Sequence, residues 1–330
     1  MKDFAGKIAV ITGGGTGMGR ELARQLAAEG ASVAMCDVSA KNMTETKALC
    51  EAEARQGVRI TTHLADVADA AAMERFRGEV ERDQSTSIVH LLINNAGIGG
   101  GGSFVSGDRA EWERTFGICW GGVYNGARAF LPMLIAAPEA WIVNTSSVNG
   151  FWASIGPGIP HTAYSAAKFA VKGFTEALMT DLKVNAPHIG CSVVMPGHIG
   201  TEIIANSRKV LSGSDGDRLS ASELATSRER MSAMGISADK LSDAEIEAGA
   251  AAMAARFRDE APTTAGEAAK IILDGVKAGK WRILVGDDAE GLDKIVRHAP
   301  EAAYEPDFFQ RFASEIGWRL NGTLTRAEPA

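Results

Sequence analysis

Ile8-Ala-Val-Ile-Thr-Gly-Gly-Gly-Thr-Gly-Met-Gly19 decides the fold of this chain. The apolar run Ile8–Ile11 reads as a buried strand. Glycines at 13, 17 and 19 allow a tight turn and let the backbone approach a pyrophosphate. Leu22, Ala23 and Leu26 then open a helix whose amino terminus meets that charge. Strand, glycine turn and helix in this order predict a dinucleotide-binding unit. Asp37 closes the next strand candidate, where a carboxylate accepts hydrogen bonds from adenosine ribose hydroxyls and repels a 2′-phosphate. No Arg or Lys lies within the turn before Gly19, and Val38 follows the aspartate. The expected cofactor is NAD rather than NADP; an ordinary strand-end acid is the alternative for Asp37.

Outward from this unit, apolar runs alternate with helical patterns. Strands are expected at Lys7 to Thr12, Ser32 to Asp37, Arg59 to Leu64, Ile88 to Asn94, Trp141 to Thr145, Gly190 to Met195 and Arg282 to Val285. Helices are expected at about 17–29, 41–56, 68–83, 108–136, 161–185 and 264–278. Such alternation implies an α/β fold, a doubly wound parallel sheet with helices on both faces. Two regions interrupt it. Residues 203–262, with helical stretches near 220–234 and 242–258, have the length of a substrate lid inserted in a single Rossmann-type domain spanning 1–330. Residues 287–320 form a C-terminal extension, and its apolar residues from Leu292 to Trp318 predict that it packs on the domain.

Composition narrows the function classes. The 330 residues are 45% hydrophobic, enough for one large core. With 34 basic and 41 acidic residues the net charge is −7, and no basic run appears, which argues against nucleic acid or an anionic membrane surface. No apolar run reaches transmembrane length and the amino terminus lacks a signal pattern. Cys36, Cys50, Cys119 and Cys191 lack metal or redox spacing, and the six histidines form no ligand pair. A reduced, cytoplasmic protein without a metal is expected.

Tyr164 and Lys168 carry the chemistry. Four residues apart on a helix, they place a phenol and an ammonium on one face. A free phenol titrates near ~10, and Lys168 together with the positive nicotinamide ring of the expected cofactor favours its ionised form, so a lowered pKa is expected. Together with Asn94-Asn-Ala-Gly97, Ser146-Ser147 and Pro196-Gly-His-Ile-Gly-Thr201, this ordered set resembles the short-chain dehydrogenase/reductase family over about residues 5–202.

The resemblance implies an oxidoreductase with Tyr164 as acid or base, Lys168 as its activator and holder of the nicotinamide ribose, and Ser147 as orienter of the reacting oxygen. Ser146 is the rival to Ser147, because a strand end presents alternate residues to opposite faces. The implied cofactor contacts are Gly13, Gly15, Thr16, Gly17, Met18 and Gly19 at the pyrophosphate, with Asp37 and Val38 at the ribose. Asp66 and Val67 follow at the adenine, then Asn95, Ala96 and Gly97, and finally Pro196, Gly197, Ile199 and Thr201 along the nicotinamide. Helix capping is the alternative for Asp66 and Thr201. The family implies a homotetramer built on helices 108–136 and 161–185.

One position departs from the family: Cys119 stands where an asparagine usually completes the catalytic group. Gly121 and Gly122 still permit a bend in that helix. Phe151, Trp152 and Ile155 to Ile159 form either an apolar pocket wall or core and interface packing. His161 and His198 are weaker pocket candidates, with capping or surface positions as the alternative. Met231, Met234 and Ile236 either face an apolar substrate or pack the lid. The sequence thus points to NAD-linked interconversion of a hydrophobic secondary alcohol and ketone. An NADPH-dependent 3-oxoacyl reductase is the runner-up, and a nucleotide-binding module without chemistry the rival from another class.

Overall fold

Seven strands pair in parallel in the order β3-β2-β1-β4-β5-β6-β9: β1 (Ile8–Thr12), β2 (Ser32–Asp37), β3 (Ile60–Leu64), β4 (Leu91–Asn94), β5 (Ala140–Thr145), β6 (Ile189–Pro196) and β9 (Arg282–Val285). The computed structural model describes residues 1–156, 159–213, 218–233 and 237–316. Strand order reverses between β1 and β4, and crossover helices cover both faces, as parallel pairing demands. The side-chain period of two divides the strands between two cores. Val10, Cys36, Leu92 and Ile142 face the core of α3 (Ala70–Asp83), α5 (Gly122–Ile135) and α6 (Thr162–Asn185). Their neighbours Ile11, Met35, Leu91 and Val143 face α1 (Gly17–Glu29) and α10 (Ala265–Lys277). The fold class expected from the sequence is the one observed.

Element boundaries follow local chemistry. Ser39 caps α2 (Ala40–Glu53) by accepting from Asn42 N at 3.3 Å, and Asp69 caps α3 through Ala71 N at 2.8 Å. β4 starts three residues later than expected, because the Ile8 N–H is taken by His90 Nδ1 at 3.1 Å instead of a strand carbonyl. The helix expected over 108–136 is broken: α4 (Arg109–Phe116) and α5 are joined by a π-helical turn at Gly117–Gly121. The sequence allowed for a bend there, but not for a wider turn.

The insertion contains α7 (Ile203–Ser212), α8 (Ala221–Ala233) and α9 (Asp243–Asp259), of which α7 was not foreseen. A second small sheet ties its two ends together, β7 (Ile199–Gly200) pairing with β8 (Thr263–Thr264). The extension folds as α11 (Asp287–His298) and α12 (Phe308–Ile316), whose Leu292, Val296, Phe308 and Phe312 bury Trp152 and Val148. Trp152 is therefore core, not pocket wall. Pro157, Gly158, Met234, Ile236 and Trp318 lie outside the described residues.

Candidate active site

The carboxyl ends of β1, β4, β5 and β6 converge on one rim. Thr12, the last residue of β1, braces two of them: its hydroxyl accepts from Asn95 N at 3.0 Å and Ala96 N at 3.1 Å. Asn95 Nδ2 returns bonds to the carbonyls of Thr12 at 3.1 Å and Gly13 at 3.3 Å. Below them Asn94 Nδ2 donates to Asn144 Oδ1 at 2.9 Å, and Asn144 Nδ2 to Thr175 Oγ1 at 3.0 Å. This buried amide chain ties β4 to β5 and to α6, although Asn94 Oδ1 itself has no partner.

The glycine turn has the shape a pyrophosphate requires. Gly17 holds a left-handed φ of +54°, and a Cβ on Gly19 would lie 2.0 Å from the Gly13 carbonyl oxygen. Only glycine permits that approach, which leaves the first turn of α1 bare for an anion. Thr201 packs over Gly17, within 3.1 Å of where a Cβ would be, and makes no capping bond to α7, whose N-cap is Glu202. From α7, Asn206 Nδ2 donates to Thr16 Oγ1 at 3.0 Å, and Ser207 Oγ accepts from Gly99 N at 2.8 Å. These two contacts were missed at the sequence level, although Ile203, Ser207 and Val210 fall on one helical stripe. A dinucleotide fits the residues present.

At the ribose end Asp37 accepts from Gly15 N and Ser39 N, both at 3.0 Å, while Val38 beside it is half exposed. The turn before Gly19 carries no cation of its own, but one reaches it from the helix. Arg20, just beyond Gly19, folds back so that Nη2 donates to the Gly15 carbonyl at 2.7 Å. Glu45 pairs with the same nitrogen at 3.1 Å and offsets its charge. Asp66 does not cap α3. It accepts from Ala68 N at 3.0 Å and pairs with Arg114 at 2.7 Å, while the Val67 carbonyl accepts from Asn125 Nδ2 at 2.9 Å.

Ser146 and Ser147 leave the end of β5 in opposite directions. Ser146 Oγ donates to the Lys168 carbonyl at 2.7 Å inside the fold. Ser147 Oγ accepts from Asn149 N at 3.1 Å and faces the Tyr164 phenol. The two-residue period resolves the rivalry: it is Ser147 that meets Tyr164. Lys168, only 3% exposed, sets its ammonium 5.4 Å from the Tyr164 ring centroid and donates to the Thr145 carbonyl at 2.9 Å.

The Lys168 ammonium alone does not lower the Tyr164 pKa. Burial, aided by the Cys119 sulfur, pushes the phenol well above its ordinary value, against the opposing Ser147 hydroxyl. Burial likewise lowers Lys168. Desolvation of the charged form outweighs the attraction of a cation that lies beside the ring.

Cys119 sits in the π turn, fully buried, with its thiol donating to the Ile98 carbonyl at 3.1 Å. A Cβ on Gly97 would be 3.5 Å from Lys168 Nζ and 3.7 Å from Cys119 Sγ, so Gly97 borders both. His161 rests its ring 4.7 Å from that of Tyr164 and makes no cap bond; burial lowers its pKa to about 4. His198 is not at the surface; its ring satisfies a carbonyl at the carboxyl end of a helix. It is buried, with Nε2 2.7 Å from the Phe257 carbonyl in the last turn of α9.

Comparison with known proteins agrees with this geometry. Residues 7–211 match the short chain dehydrogenase family. A Mycobacterium tuberculosis protein provisionally named oxidoreductase SadH is 34% identical over 297 residues, covering 90% of this chain and 92% of its own. A short-chain dehydrogenase/reductase from Burkholderia phymatum, solved in complex with NAD, is similar with a TM-score of 0.72 at 26% identity, over 93% of this chain and 98% of that one. A metagenomic short-chain oxidoreductase in complex with NADP reaches 0.52 at 28% identity, over 59% and 83% of the two chains. Because the matched region runs from β1 through the Tyr164 helix, the chain belongs to the short-chain dehydrogenase/reductase family, an NAD(P)-binding oxidoreductase family.

Proposed function

We propose that this protein interconverts a secondary alcohol and its ketone, with NAD as the preferred cofactor. The observation that carries the reading is the meeting of Ser147, Tyr164 and Lys168 at the carboxyl end of the sheet, beside the glycine turn. The turn from Gly13 to Gly19 would hold the pyrophosphate, and Asp37 with Val38 the adenosine ribose. Asp66 and Val67 would border the adenine. Asn95, Ala96 and Gly97 would lie along the middle of the cofactor, and Pro196, Gly197, Ile199 and Thr201 along its nicotinamide.

A bound nicotinamide supplies or accepts the hydride at the carbinol carbon. The chain's own residues manage the oxygen. Tyr164 Oη as the phenol gives its proton to the carbonyl oxygen during reduction and becomes the phenolate, which takes the hydroxyl proton when the reaction runs as oxidation. Ser147 Oγ hydrogen-bonds the same oxygen and fixes it within reach of the phenol. Lys168, anchored on Thr145, supplies positive charge beside the ring and stabilises a developing phenolate. The insertion 203–262 acts as a lid over this rim, a reading supported by the α7 contacts to Thr16 and Gly99.

NAD is favoured because Asp37 directs a carboxylate to the ribose end and Arg20 is already engaged by Gly15 and Glu45. An apolar substrate rests on less than the sequence implied, since Trp152 is buried under the extension. The test is a screen of secondary alcohols and ketones with each cofactor, followed by nicotinamide absorbance. Turnover of a ketone or alcohol with NAD exceeding that with NADP is expected. Activity on neither class with either cofactor sinks the proposal.

A further inference from the structure

The segment after β6, which the proposed function sets along the nicotinamide, is held from outside the family-matched region. Gly197 N donates to the Val285 carbonyl at 3.0 Å, and His198 N donates to Asp288 Oδ2 at 2.6 Å. Asp288 lies in the first turn of α11, in the extension, and is itself buried. Its carboxylate presses so closely on Gly197 that a Cβ there would fall 2.3 Å from both oxygens. On the opposite side the His198 ring binds the Phe257 carbonyl at 2.7 Å and packs on the Phe257 ring at 4.3 Å. One dipeptide is thus gripped by the extension through its backbone and by the lid helix through its side chain.

A buried carboxylate bonded to a backbone N–H is a stiff anchor, because a charge-assisted bond is stronger than a neutral one and its loss leaves a buried donor unmet. It acts on the peptide between Gly197 and His198, one residue before Ile199. We infer that Asp288 is a positioning residue for the nicotinamide end of the cofactor site, so that the C-terminal extension completes a site the family-matched region does not finish alone. This inference rests on the proposed cofactor reading.

The apolar contacts of the extension are made by other residues. Leu292, Val296, Phe308 and Phe312 close on Trp152 well away from Gly197 in the chain, in a separate apolar cluster that does not include Asp288. Loss of the anchor is therefore expected to act on the cofactor segment first.

The experiment compares NAD with ADP-ribose, which shares every part of NAD except the nicotinamide. Dissociation constants are measured by calorimetry on the full chain without substrate. Asp288→Ala is expected to weaken NAD about tenfold and ADP-ribose by less than about twofold. Asp288→Asn, which keeps an acceptor oxygen for His198 N, is expected to restore NAD binding to within about threefold of wild type. If Asp288→Ala does not fold, Asp288→Ser carries the same comparison, since its hydroxyl is too short to reach His198 N. Unchanged NAD binding, or equal weakening of both ligands, overturns the inference while leaving the cofactor reading intact. A wild-type protein that binds neither ligand overturns the cofactor reading itself.

Discussion

The indole N–H of Trp152 donates to the carbonyl of Ala303, 2.8 Å away and 151 residues further along the chain. Trp152 follows Ser147 by five residues, with Asn149 between them donating from Nδ2 to the carbonyls of Trp152 at 2.9 Å and Ser154 at 2.7 Å. Tyr304 adds a second tie, its hydroxyl accepting from Ala153 N at 3.0 Å. The loop that leaves the candidate active site is thereby pinned to the extension at two successive residues.

Trp152→Phe should lower stability by about 1–3 kcal/mol, because the Ala303 carbonyl loses its donor in a buried place. Trp152→Ala should cost about 3–5 kcal/mol through the cavity left among Phe308 and Phe312. Chemical denaturation measures both, and hydrogen exchange should show faster opening of 287–316 in each. An extension equally protected in all three proteins would mean that Trp152 does not hold it.

Tyr164→Phe should bind NAD within a few-fold of wild type yet turn over about 10²–10⁴-fold more slowly, since only the proton path is removed. Single-turnover kinetics on any substrate found in the screen decides this. A variant retaining most of the wild-type rate would remove Tyr164 from the proposed mechanism.

Asp37→Ala should weaken NAD and narrow its advantage over NADP, because acceptor and repulsion disappear together. Arg20 lies close to the freed position but stays engaged with Glu45, so the preference should narrow without inverting. The ratio of kcat/KM for the two cofactors, wild type against variant, is the readout. A ratio that does not move excludes Asp37 as the determinant.

His161 is held neutral: burial lowers its pKa from 6.5 to about 4. Between those values the unfolded chain binds a proton that the folded protein refuses, so stability rises with pH across the window. The contribution is complete above pH 6.5 and is lost as pH falls towards 4. His161→Gln should flatten this part of a plot of melting temperature against pH. An identical slope in wild type and variant would place the acid sensitivity elsewhere.

Cys119→Asn should reduce stability by about 1–3 kcal/mol, because a larger amide enters a filled site where the thiol already satisfies the Ile98 carbonyl. Turnover should fall with it. A fall in turnover at unchanged melting temperature would instead point to a direct role for the thiol.

Most strands were legible because they are apolar runs, which strands buried on both faces need, while the edge strand β3, Ile60-Thr-Thr-His-Leu64, was legible from its place in the alternation. The glycine turn and the Tyr164–Lys168 pair were legible because their spacing carries the geometry. What stayed hidden depends on partners distant in sequence. Nothing local reveals that His198 would meet Phe257, that Arg20 would fold back onto Gly15, or that Trp152 would be roofed by Phe308 and Phe312. The burial of Tyr164 was hidden for a related reason. Proximity of a cation can be read from i and i+4, but the depth of burial that overrides it cannot.

The π-helical turn at Gly117–Gly121 sets the reading frame of everything after it. A π turn holds one residue more than the α-helical turn it replaces, and one residue is worth about 100° of rotation. Deleting a residue there would let α4 run straight into α5 through an ordinary α turn, and would leave Ala129, Phe130, Met133 and Leu134 facing the core they now fill. The wide turn is therefore an insertion that the fold has absorbed without moving the helix beyond it. Against any helix that lacks this turn, the two halves belong to different alignments, and a one-residue gap must fall within the very stretch that carries Cys119.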